Sequence, residues 1–142
     1  MKVLKINSLE KGFCDGDYLL LHAAFQILVN FIEKEKPGKV FDWSYDKEHR
    51  EAWKEIQSLY KWWSKVRPTR KNPLDEKGLK KPPFRLKEVP GTNLFQQAPY
   101  DKKKYARYKK AVNREMFLDK KWREEDTSNL HRLIDIRDFL WT

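Results

Sequence analysis

Cysteine is nearly absent from the 142 residues. Cys14 stands alone, which excludes an intrachain disulfide and any zinc centre built on several cysteines. Motifs that would announce a reaction are missing too: there is no Walker loop, no HExxH and no GxSxG. Long apolar runs are also lacking. The longest, over residues 18–32, is interrupted by His22, Gln26 and Asn30 and falls short of a membrane-spanning pattern. The opening residues do not pair a basic stretch with an apolar run, as a secretory signal would. A cytoplasmic protein with no membrane partner is therefore the expectation.

What the chain has in quantity is positive charge and aromatic rings. The 31 Lys and Arg outweigh 21 Asp and Glu, for a formal net charge of +10. At 37% charged residues, disorder is the competing reading, but 6 Trp, 6 Tyr and 8 Phe supply enough large apolar groups to organise a core. The length suits one domain. Charge is unevenly spread: residues 1–60 carry 9 basic and 10 acidic side chains, residues 61–90 carry 10 and 3, and residues 101–125 carry 10 and 5. This asymmetry points to an anionic partner.

Periodicity predicts an all-α fold, a small irregular bundle of about four main helices with a long, proline-containing basic connection. MKVLKI, residues 1–6, reads as a short strand or an extended lead. The first helix covers residues 18–35, with Asp15 or Asp17 as its cap, Leu21, Phe25, Leu28 and Ile32 at helical spacing, and Lys36, Pro37 and Gly38 ending it. Asp46 caps the second, in which Ala52, Trp53, Ile56, Leu59, Tyr60 and Trp63 fall on one arc. Trp62 projects away from that stripe and is either covered or free for a partner. Residues 67–100 contain six prolines, too many for a helix. They are expected to form a wrapping loop or interaction arm on a single domain spanning residues 1–142. A third helix is expected over residues 101–125, and a fourth starts at Thr127 or Ser128, both capable caps.

Two sets of residues form the candidate binding surface. Lys103, Arg107, Lys110, Arg114 and Lys121 project from one side of the third helix, a ridge of roughly 27 Å at about 1.5 Å per residue. That length matches several successive nucleic-acid phosphates. The second set is Lys65, Arg67, Arg70, Lys71, Lys80, Lys81 and Arg85, with Trp62 beside it as the ring to stack on an unpaired base. A solvated basic flank has the same pattern, its aliphatic stems covering apolar surface. No zinc finger, RNA-recognition signature or basic zipper is present. His22, Gln26 and Asn30 form a polar line whose economical role is internal hydrogen bonding, with a ligand channel as the alternative. His131 and Asp135 are four apart and read as a surface pair, so no catalytic residue, cofactor or metal is expected.

The segment FCDGDYLLLHAAFQILVNF, the region from Trp43 to Trp63 and the motif WWSKVRPTR together resemble small uncharacterised proteins encoded by tailed bacteriophages. The resemblance covers roughly the first half of the chain and implies the host-cell cytoplasm as its setting. It implies a host-takeover factor, a DNA-associated protein or an inhibitor of a partner. The function expected is a noncatalytic nucleic-acid-binding or DNA-associated regulatory protein. The alternative is a phage-encoded regulator or inhibitor that binds an acidic surface of a host or phage protein.

Overall fold

A computed structural model describes residues 3–141. The fold is mainly helical, as the periodicity predicts, with one two-stranded sheet. In chain order the main elements are α1 (Gly16–Asn30), α2 (Pro37–Val40), α3 (Lys47–Lys61), β1 (Leu86–Glu88), β2 (Phe95–Gln97) and α4 (Ala106–Asp135). The chain divides into two compact units, Met1–Arg70 with Arg123–Thr142, and Lys71–Trp122. Helix α4 contributes to both. No described helix is long and apolar enough to cross a membrane.

The first unit holds the hydrophobic core. Phe25, Leu28, Phe31, Ile56 and Leu59 are fully buried, and each contributes roughly 1.5–3 kcal/mol through the apolar area it removes from water. Asp46 caps α3 as expected, its carboxylate accepting the His49 backbone N–H at 2.8 Å. Both α1 and α3 continue into a widened π-helical turn, Phe31–Glu35 and Trp62–Val66. The first of these ends at Lys36, which takes a left-handed conformation at φ 49° before Pro37 opens α2. Trp43 roofs this end, stacked on Trp53 and on Trp141 with ring centres 4.8 and 5.2 Å apart. Its indole N–H donates to the Pro37 carbonyl at 3.1 Å.

Of the two forms expected for the opening segment, residues 3–6 take no strand, and Met1 and Lys2 lie outside the described residues. Two expectations need correction. The third helix starts at Ala106, after a turn over residues 102–105, and not at Asp101. The separate fourth helix does not exist, because α4 runs unbroken through Thr127 and Ser128 to Asp135.

The second unit is more lightly built, with only Pro82 and Ala111 buried. Within the proline-rich segment lies a β-hairpin whose register pairs Leu86 with Gln97, Lys87 with Gln96 and Glu88 with Phe95. Its turn runs through Val89, Pro90, Gly91 and Thr92, closed by the Thr92 N–H on the Val89 carbonyl at 3.2 Å. Proline presets the first central residue, and Gly91 supplies the φ of +75° that the second one needs in a type II turn.

Candidate nucleic-acid interface

Side chains that the sequence groups as one basic set are separated by the fold into two kinds. In the first unit, Arg67 and Arg70 are already engaged. Arg67 makes two bonds to the Asp126 carboxylate, at 3.2 and 3.1 Å, and its guanidinium lies 4.8 Å from the Trp63 ring centre. Arg70 bridges Glu125 and Asp126 at 2.6 and 2.8 Å. Both side chains are at least four-fifths shielded from solvent. Arg67 and Arg70 are therefore structural cations, a correction whose cause is an acidic pair more than fifty residues further along the chain. Lys65 remains exposed.

Trp62 is corrected in the same way. It is buried, 5.2 Å from Phe25 ring to ring, and its indole N–H donates to Glu125 at 3.0 Å. Trp63 stacks on Phe25 at 4.5 Å, so both tryptophans belong to the core. Neither of these tryptophans is available for a base.

The polar line along α1 is paired internally. Ser8 Oγ and His22 Nδ1 lie 2.7 Å apart, the Asn7 backbone N–H donates to Gln26 at 2.9 Å, and Gln26 donates to Asn30 at 3.2 Å. Burial, followed by the positive charge of Arg67, lowers the His22 pKa, while Asp126 opposes that shift. An open groove of about 480 Å³ passes these groups, lined also by Trp63 and Arg67. Among the described residues, no cluster of His, Cys, Asp or Glu is arranged to hold a metal ion.

The second unit carries the charge. Its 52 residues hold 15 Lys and Arg against 6 Asp and Glu, a formal +9 out of the chain's +10. Lys71, Lys80, Lys81 and Arg85 are all exposed here. Asp101 sets the start of α4: its carboxylate accepts the backbone N–H groups of Lys103 and Lys104 at 2.9 and 3.1 Å. Lys103 thus sits in the capped turn before the helix, exposed but off the helical ridge. On α4, Arg107, Lys110, Arg114 and Lys121 are exposed and share one arc over about 21 Å. Arg107 pairs with Glu76 at 2.8 Å, with both side chains more than half exposed. Such a surface pair contributes at most about 1 kcal/mol, so a phosphate can displace the carboxylate.

Two features of this surface escaped the reading of the sequence. Phe117 lies on the basic arc, is 60% exposed, and has the Arg114 guanidinium 5.4 Å from its ring centre. Its spacing from Lys110, Arg114 and Lys121 is seven, three and four residues, a helical pattern that was there to be read. The hairpin also went unrecognised, though Pro90 and Gly91 between two apolar stretches carry its turn signal.

Comparison with family models, with curated proteins and with solved structures finds no match to this chain.

Proposed function

We propose that the protein is a noncatalytic nucleic-acid-binding protein that contacts phosphates through the basic face of its second unit. One observation carries this reading: nearly all of the net charge is gathered in 52 residues with little buried core, where four cations line one helical arc and stay open to solvent. A charge field of that density attracts a polyanion and releases the counterions condensed on it. The acids that neutralise Arg67 and Arg70 in the first unit have few counterparts here. Contacts to phosphate carry no base code, so binding through this ridge is sequence-tolerant and steeply dependent on salt.

The test is fluorescence anisotropy of a labelled oligonucleotide across a salt series. Replacing Arg107, Lys110 and Arg114 together by alanine should weaken binding and reduce the slope of log affinity against log salt by about 2–3, since each phosphate contact contributes roughly 0.7–0.9. Lys65→Ala in the first unit should leave that slope unchanged. Absence of binding at low salt, or a slope indifferent to the triple replacement, would exclude the ridge as a phosphate-binding surface. Stable capture of an acidic protein by a chain with no polynucleotide affinity would favour the regulator or inhibitor reading in its place.

A further inference from the structure

The hairpin of the second unit exposes apolar side chains on a surface otherwise rich in cations. By the register, Leu86, Glu88, Phe95 and Gln97 share one face, while Lys87 and Gln96 share the other. The ladder continues at both ends, where Ala98 N–H donates to the Arg85 carbonyl at 2.7 Å and Val89 N–H to the Leu94 carbonyl at 2.9 Å. Phe84 precedes β1, and the alternation carried two positions back from Leu86, past the Arg85–Ala98 bond, assigns it to the Leu86 side. Phe84, Leu86 and Phe95 are 75%, 58% and 64% exposed. Nothing in the second unit covers them, and exposure of this kind costs solubility unless a ligand uses it.

Resting on the reading above, we infer that this hairpin face is a stacking platform for the bases of an unpaired polynucleotide strand, with Phe84 and Phe95 as its rings. Three arguments select this occupant. In sequence the rings lie among Lys80, Lys81, Arg85 and Lys87, all exposed, with Lys87, and Arg85 by the same alternation, on the other face of the hairpin, whereas the core of a protein-binding patch is depleted of lysine. Phosphates and base faces are the two groups that a basic, aromatic surface matches together. Phe95 stands opposite Glu88, four positions along from Phe84, so the two rings are separated by roughly 13 Å along the strand at about 3.3 Å per residue, a span suited to an unpaired strand and not to a duplex, whose base faces are hidden. Phe117 repeats the combination on α4, a ring among cations. The platform reads no 2′-hydroxyl, and DNA and RNA strands meet it through the same chemistry.

Anisotropy with the full chain tests this, using labelled oligothymidylate, a strand of equal length whose sugars carry no bases, and a duplex. The oligothymidylate should bind about five- to a hundredfold more tightly than the abasic strand, the range for stacking of one base. It should also bind more tightly than the duplex, and oligouridylate should follow oligothymidylate. Phe84→Ala and Phe95→Ala should each remove much of the advantage over the abasic strand while leaving abasic binding in place. Phe84 lies outside the paired strand residues, so its replacement does not hinge on hairpin integrity, and the abasic comparison needs no variant. Equal affinity for thymidylate and abasic strands, or preference for the duplex, overturns the platform while leaving phosphate binding standing. Failure of all three probes, with polyaspartate bound instead, overturns both.

Discussion

His22 sits where a charge is unwelcome. Its ring is buried, stacked beside Tyr18 at 6.2 Å and edge-on to Trp63 at 4.9 Å, with Nδ1 committed to Ser8. Burial first, and the Arg67 guanidinium second, hold its pKa below the ordinary 6.5. The unfolded chain therefore takes up this proton before the folded one does. Stability is complete above about pH 6.5 and is lost as pH falls from there through the lowered folded value. Urea midpoints measured between about pH 7.5 and about pH 5, above the main carboxylate titrations, should fall more steeply for the wild type than for His22→Gln. Parallel pH profiles would show that the folded state holds this imidazole no differently from water. Sequence showed this residue as one step of a polar line in an apolar helix, and it suggested internal hydrogen bonds correctly. It gave no hint that a cation from position 67 acts on the ring. For the same reason Trp62 was misplaced: its direction follows from the widened turn that begins at that residue, which lets it and Trp63 both reach Phe25.

Helix α1 was legible from its apolar spacing alone, since its N-cap Asp15 makes no side-chain cap bond, whereas in α3 spacing and a local cap agree at Asp46, whose carboxylate meets the His49 N–H three residues on. Helix α4 was legible in its periodicity but not in its extent, since Thr127 and Ser128 resemble caps and nothing nearby in sequence opposes that reading. Tertiary pairing decides the matter. Glu125 and Asp126 are tied to Trp62, Arg67 and Arg70, and Arg132 is tied to Glu55 and Ser58 of α3, the latter at 3.1 Å. The helix is thus anchored on both sides of the apparent cap. This distinction has a measurable sign. Loss of a working cap costs about 1 kcal/mol, whereas serine to alanine inside a helix gains about 0.5 kcal/mol. Ser128→Ala should raise the denaturation midpoint, and Ser128→Pro should cost about 3 kcal/mol. A lower midpoint for the alanine variant would restore the break in the helix. The hairpin was the opposite case, with too few residues for an alternation signal, three in each strand. Only its Pro90–Gly91 turn was available to announce it, and the surrounding prolines masked that signal.

Across the whole molecule, charge and core are allotted to different parts. The first unit has the buried aromatic cluster and close to balanced charge, 16 basic against 15 acidic side chains, whereas the second has +9 and two buried residues. Sequence located the excess of charge but could not assign it, because the basic set near position 67 is held by acids from α4, whereas on the ridge near position 110 Arg107 pairs with Glu76 in the open and Lys110, Arg114 and Lys121 are exposed. Few buried apolar contacts and like-charge repulsion both place the second unit at the low end of local stability. A bound polyanion removes the repulsion and adds binding free energy to the folded state alone. Hydrogen exchange should therefore find the hairpin amides, including Val89 and Ala98, opening more readily than those of α1 and α3 around Phe25, Leu28 and Ile56. Added oligothymidylate should slow exchange within Lys71–Trp122 and leave the core amides of the first unit unchanged. Protection that rises equally in both units would mean that the charge excess does not define the binding surface. Protection confined to α1 and its polar groove would move that surface to the first unit, where His22 and Gln26 line the wall.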